Sequence, residues 1–261
     1  MNPPVPILMY HSVAHTPNLA TRALSVAPEA FAEQMALLGD GGFTPLTTAQ
    51  LAAAWRSSRP LPRRPVLITF DDGYQGVHRH ALPVLVEHGF AATLFVSTGW
   101  LRGASGTGGG PDTMLDWGQV RALGDAGVEV GGHSHTHPQL DQVGDEALWW
   151  ELLRCKEIVA DELGTPPVSF AYPYGYSSRR VRRAVREAGF AQSLAVGNAL
   201  ARRRQGPYAL RRVTVRRTTG IDEFARLADG RTIVRTFAGD RALTKGYAVV
   251  RRARQMYRKA T

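Results

Sequence analysis

Short apolar runs alternate with helix-length amphipathic segments from residue 5 to residue 229. This is the pattern of repeated strand–helix units around a largely parallel sheet. Strands are expected at 6–11, 66–70, 92–97, 128–132, 168–172, 193–196 and 212–215. Helices are expected at 28–38, 48–56, 75–88, 117–126, 145–163, 178–188 and 221–228. Asp145 and Ser178 read as N-caps, and Gly89, Gly127, Gly164 and Gly189 read as the left-handed residues that end helices. Seven strands with intervening helices fit an irregular α/β barrel better than an open sheet.

Two segments break the alternation. Residues 99–112 (GWLRGASGTGGGPD) are too rich in glycine for regular structure and read as a long loop, a flexible rim of whatever site lies nearby. They lack the lysine and the tight strand–turn–helix setting of a phosphate-binding loop. Beyond Gly230 the apolar spacing is patchy (Val234, Phe237, Leu243, Val249, Val250, Met256) and arginines are frequent. The expected organisation is one strand–helix domain over 1–230 and a basic extension over 231–261, helical or partly mobile.

Charge sharpens that division. Residues 201–261 carry 17 Lys and Arg against 4 Asp and Glu, whereas residues 1–200 carry 15 against 18. The basic end either faces solvent or is drawn to an anionic surface, such as a membrane, which makes peripheral membrane contact one expectation. It lacks the aromatic interleaving of a nucleic-acid-binding module, so no nucleic-acid partner is expected. The single cysteine, Cys155, excludes an intramolecular disulfide and lies on an apolar helix face. The first residues, MNPPVPILMYHSV, read as neither signal peptide nor membrane span, so a cytoplasmic location is expected.

In strand–helix folds, ligands meet the carboxyl ends of parallel strands, where loops from every strand converge. Three such exits present ionisable groups: PVLITF leads into Asp71 and Asp72, VEVGG into His133, and PILMY into His11. In HSHTH (133–137), His133 and His137 are four apart and can face one ion if the turn coils helically. With Asp72 they make a two-histidine, one-carboxylate set suited to a hydrolytic Zn²⁺ or similar divalent ion. Adjacent carboxylates in an extended segment point apart, so Asp72 can bind metal while Asp71 acts as base toward an attacking water. Singly, each motif has a structural reading, Asp-Asp-Gly as a turn and the histidines as surface residues. Their joint placement at separate strand exits favours chemistry.

These motifs, in this order and spacing, make residues 5–215 resemble the polysaccharide deacetylases, the NodB-like carbohydrate esterase family 4. The resemblance implies an irregular (β/α)7 barrel of the NodB-homology type. TFDDG (69–73) is similar to the family's first motif, in which the first Asp is the base and the second a metal ligand, and HSHTH to its second motif, H-[ST]-x-x-H. AYPY (171–174) is similar to the third motif, R-x-P-[FY], which implies that Pro173 and Tyr174 border the site and that the Tyr174 N–H serves an oxyanion. Ala171 stands where the family has the arginine that orients the base. The histidine of the fifth motif, L-x-H, is also missing, since Leu210 is followed by Arg211 and Arg212. The opening ILMYHSV resembles the exopolysaccharide deacetylase branch, which implies His11 as the acid. Asp112, Asp116 and Trp117 are similar to the fourth motif, which implies that Asp116 and Trp117 line the substrate groove.

The implied activity is hydrolysis of N-acetyl or other N-acyl groups from amino sugars of a polysaccharide or glycoconjugate. One divalent ion is expected, Zn²⁺ first and Co²⁺ or Ni²⁺ as alternatives. Two other readings follow from the departures: a catalytically weak or inactive carbohydrate-binding homologue, and a deformylase of a lipid-linked sugar.

Overall fold

The computed structural model describes residues 3–103, 109–239 and 251. The expected features at Leu243, Val249, Val250 and Met256, and the centre of the glycine-rich segment, lie outside the described residues. The strands are β1 (Ile7–Tyr10), β2 (Thr44–Pro45), β3 (Pro65–Phe70), β4 (Thr93–Val96), β5 (Glu129–Gly132), β6 (Ser169–Ala171), β7 (Gln192–Val196) and β8 (Tyr208–Thr214). All seven expected strands form, and two-residue β2 is an addition.

β1 pairs with both β3 and β8, and parallel pairings continue from β8 through β7, β6, β5 and β4 back to β3. Seven parallel strands therefore close into a barrel. β2 stays outside the ring, pairing with Pro65 and Val66 at the start of β3, while Thr69 and Phe70 pair with β4.

The side-chain period of two divides each strand between two cores. Ile7, Leu67, Phe95, Ala171, Leu194 and Leu210 fill the barrel with Leu51 and Trp55. Leu8, Tyr10, Ile68, Phe70, Leu94 and Val96 face outward, where they pack with helix residues such as Phe31, Met35, Leu85, Val120 and Phe224. Continuing the inward set by two-residue steps reaches His11, Asp71 and His133, with Arg212 inside β8. The alternation that buries the core thus carries the ionisable residues to the carboxyl end of the barrel.

The helices are α1 (Pro28–Asp40), α2 (Thr48–Arg56), α3 (Leu82–Glu87), α4 (Trp117–Asp125), α5 (Asp145–Leu163), α6 (Arg179–Glu187), α7 (Ile221–Ala228) and α8 (Ile233–Thr236). α2 closes the amino end of the barrel. Leu51 and Trp55 enter the interior, the Thr48 N–H donates to Thr93 Oγ1, and the Ala49 N–H donates to the Glu129 carboxylate at 2.7 Å. A carboxylate at a helix N-terminus is favourable both as acceptor and against the helix dipole.

The helix expected at 75–88 is divided. Pro83 has no N–H to continue an α-helical ladder, and the chain widens into a π-helical stretch, Val77–Ala81, before α3. The Leu82 N–H accordingly reaches back five residues to Val77 O. Ser178 caps α6 as expected, its hydroxyl accepting from the Val181 N–H, but Gly144, not Asp145, occupies the cap of α5. Asp145 is the first helical residue and pairs with Arg180 at 2.6 Å. Gly89, Gly127, Gly164 and Gly189 all take the expected positive φ.

The described part of the 231–261 segment packs on the barrel. Ile233 and Phe237 are buried with Val213 and Leu227. Among the described residues, no helix is long and apolar enough to cross a membrane.

Candidate functional site

Asp71, Asp72, His133 and His137 meet in a cleft of about 480 Å³ at the carboxyl end of the barrel, with His11 and Tyr174 also on its wall. Asp71 continues β3, its N–H donating to Tyr10 O, which sets it beside His11 at the end of β1. At Asp72 the backbone turns into the left-handed region, φ +76°. The two carboxylates therefore separate through a turn and not through the extended alternation expected.

HSHTH is no helical turn either. Ser134 and His137 have φ of +67° and +61°, and the loop is held from outside. Glu151, buried in α5, accepts from the His135 and Thr136 N–H groups at 2.7 and 2.8 Å and from the Thr136 hydroxyl. Ser134 Oγ accepts from the His137 N–H at 3.0 Å. Asp72, Ser134, His137 and Tyr174 all hold left-handed φ values that non-glycine residues rarely adopt, and such strain gathers at functional sites.

His133 Nε2 and His137 Nε2 lie 3.2 and 3.3 Å from Asp72 Oδ1. The three ligand atoms are all within 4.8 Å of one another, and all three side chains are buried. Ligands at the corners of a tetrahedron about 2.0–2.1 Å from Zn²⁺ stand about 3.4 Å apart, which the two Asp72–histidine separations match. The chemistry fits as well. His133 Nδ1 lies 2.8 Å from Ala171 O; as its donor, Nδ1–H leaves the Nε2 lone pair aimed at Asp72. Asp72 Oδ1 is buried with no hydrogen-bond partner, so a cation would satisfy it. The same field acts on protons. Burial pushes the His133 pKa down, but Asp71 and Asp72 outweigh it and raise it. Burial likewise pushes Asp72 up, and the two histidines bring its pKa well below the usual range.

Asp71 has a different partner. Arg212, fully buried in β8, reaches across the barrel and donates from both terminal nitrogens to the two Asp71 oxygens, each at 2.6 Å. This two-point pairing is the strongest geometry an arginine makes with a carboxylate. Burial pushes the Asp71 carboxyl up, and Arg212 and His133 bring it below its ordinary value. Asp71 is therefore an ionised carboxylate 4.0 Å from His133 Nε2. The arginine missing at Ala171 is supplied from β8, and Ala171 itself packs in the barrel interior with Phe95 and Leu194.

His11 faces both carboxylates. Burial lowers its pKa, and Asp72 and Asp71 offset this in part. Pro173 is buried at the start of a single 3₁₀ turn, Pro173–Gly175. The Gly175 N–H bonds Tyr172 O at 2.8 Å, which leaves the Tyr174 N–H as the donor of this turn without an intrahelical acceptor. Gly175 is needed there: with φ +71°, an added Cβ would lie 2.3 Å from Val196 Cγ2.

Asp116 and Trp117 fall outside the cleft lining. Asp116 caps α4 in a capping box with Gln119 and pairs with Arg102, and Trp117 packs against the helix-side core. The aromatic wall comes instead from Tyr74, Trp100, Tyr174 and Tyr176. The Trp100 and Tyr174 rings flank His137 at 4.4 and 4.7 Å. Arg251 lies 3.4 Å over the Tyr176 ring and donates to Asp141 at 2.9 Å, so a residue of the carboxy-terminal segment supports the rim.

A closed parallel barrel that gathers two imidazoles and a carboxylate, with a second ionised carboxylate beside them, defines a metal-dependent hydrolase site. The chain belongs to the polysaccharide deacetylase family, whose sequence profile matches residues 58–193. It is 28% identical over 211 residues to Bacillus subtilis (strain 168) YxkH, covering 81% of this chain and 71% of that protein. It is 25% identical to the poly-beta-1,6-N-acetyl-D-glucosamine N-deacetylase of Escherichia coli (strain K12), over 78% of this chain but 35% of that longer protein. The fold is shared with the Streptococcus pyogenes deacetylase PplD, solved with acetate, at a TM-score of 0.79 and 21% identity, over 87% of this chain and 99% of that one. IcaB from Ammonifex degensii also shares it, at 0.71 and 23%, over 86% and 97%.

Proposed function

We propose that this protein hydrolyses N-acetyl groups from amino sugars of a polysaccharide or glycoconjugate, releasing acetate and a free amine. The observation that carries this reading is the division of labour between adjacent carboxylates. Asp72 turns toward two imidazoles, while Asp71 is held ionised by Arg212. Family membership and the N-deacetylase names among the relatives support the same substrate class.

Asp72, His133 and His137 would hold one divalent ion, Zn²⁺ by the donor set, with Co²⁺ or Ni²⁺ as alternatives. When bound, such an ion supplies Lewis acidity to the acyl carbonyl and makes water a stronger acid. The Asp71 carboxylate accepts the proton of the attacking water, and Arg212 keeps that carboxylate charged and oriented until it does so. The Tyr174 N–H donates to the oxygen that gains charge as the carbonyl carbon becomes tetrahedral. His11, whose imidazolium burial makes a stronger acid, gives its proton to the departing amine nitrogen. The aromatic wall offers flat apolar faces to sugar C–H groups.

Arg212 also bears on the inactive reading, which follows from the arginine absent at Ala171 and the histidine absent after Leu210. A buried, two-point partner for Asp71 favours turnover.

The test is acetate release from N-acetylglucosamine oligomers with added Zn²⁺, Co²⁺ or Ni²⁺, against an EDTA control. Metal-dependent release is expected. Demonstrable metal binding without release from any N-acyl sugar would favour the binding homologue.

A further inference from the structure

Asn198 stands two residues beyond the end of β7, on the cleft wall, and is only 4% exposed. Its side chain is gripped at one atom. Thr214, the last residue of β8, donates to Oδ1 from its backbone N–H and from its hydroxyl, each at 3.0 Å. A backbone N–H can only donate, so the atom it meets is the carboxamide oxygen, and the amide cannot be flipped. The NH₂ group is thereby fixed on the other side, and among the described residues no acceptor meets it. It is not among the fully enclosed unpartnered atoms, so it stays open to a ligand that enters the cleft.

The cleft wall also carries the apolar side chains Met9, Leu24 and Val196, which cannot orient a hydrophilic ligand, so orientation falls to its polar members, Asn198 among them. Its backbone φ of +42° lies in the left-handed region, which asparagine tolerates better than other side chains. None of the steps assigned to Asp71, His11 or Tyr174 uses this group.

We infer that Asn198 is a substrate-binding residue whose NH₂ donates to a hydroxyl or ring oxygen of the acylated saccharide and orients the sugar in the cleft. This rests on the deacetylase reading above, which supplies the saccharide.

Two substitutions separate this role from simple support of Thr214. Asn198→Asp keeps Oδ1 and both bonds from Thr214 but replaces the donor with an acceptor, whereas Asn198→Ala removes both. With N-acetylglucosamine oligomers at matched metal occupancy, both variants should lose about tenfold or more in kcat/KM, mostly through KM. Asn198→Asp should keep the wild-type metal content and remain folded, with a Tm lowered by its buried carboxylate. Wild-type kcat/KM in Asn198→Asp with loss only in Asn198→Ala would reduce Asn198 to a prop for Thr214 and overturn the assignment. Wild-type kinetics in both variants would overturn it too, as would a loss in Asn198→Asp traced to lost metal. Failure of the parent reading is seen separately: wild-type protein with bound metal would release no acetate, and the assignment would fall with it.

Discussion

Arg212 and Asp71 are joined across the barrel by two hydrogen bonds of 2.6 Å each, with both side chains buried. The charge that the proposed role of Asp71 requires is therefore held by a residue from the last strand of the barrel, 141 positions away in sequence.

Replacing Arg212 by Met leaves Asp71 buried without its counter-charge. Breaking such a pair costs about 3–5 kcal/mol, part of which is relieved if Asp71 takes up a proton. A protonated Asp71 cannot accept another, so turnover should fall at least about a hundredfold and Tm should drop. Arg212→Lys restores charge but not the two-point geometry and should fall between. Steady-state kinetics and thermal unfolding on the three proteins check this, and wild-type turnover in Arg212→Met would remove Arg212 from the account.

Asp72, His133 and His137 should fail as a set. Alanine at any one leaves two ligands, so the metal bound per chain after dialysis should drop from about one to near zero. A ligand that binds only the folded state raises Tm by mass action, so Zn²⁺ should stabilise wild-type protein and not the three variants. Elemental analysis with thermal melts reads both effects. Full metal content in His137→Ala would exclude that ligand.

Glu151 touches none of these three side chains, yet it ties down the loop between His133 and His137 with three accepted hydrogen bonds. Glu151→Gln loses the charge and at least one acceptor. We expect roughly 1–3 kcal/mol of destabilisation and, because ligand geometry depends on such supports, about 10–100-fold weaker metal binding. Urea unfolding and a Zn²⁺ titration would test it, and unchanged metal affinity would show that the loop holds its shape unaided.

The barrel and the four central residues were legible because both depend on strand periodicity and strand exits. PVLITF reads as a buried strand, and whatever follows it must emerge at the carboxyl end. The remainder was hidden for physical reasons. Arg211-Arg212 reads as surface charge, although the alternation of Leu210, Arg212 and Thr214 with an apolar first member could have pointed Arg212 inward. Trp100 lies within the glycine-rich segment 99–112, where the absence of periodicity hides it. Asp116 and Trp117 were drawn toward the groove by resemblance, while the local pattern from Asp116 to Gln119 is that of a capping box. Asn198 is a strand-exit residue too, but its use depends on an amide orientation that only Thr214 reveals.

In the proposed mechanism Asp71 acts as base beside a metal it does not hold. The most direct test measures amine release from N-acetylglucosamine oligomers by wild-type protein and Asp71→Asn, each loaded to one Zn²⁺ per chain. Asp71→Asn is expected to bind metal within about threefold of wild type and to turn over at least about a thousandfold more slowly, within the range general-base catalysis supplies together with charge at the site. Asp71→Asn protein that binds Zn²⁺ and releases amine at the wild-type rate would contradict this role.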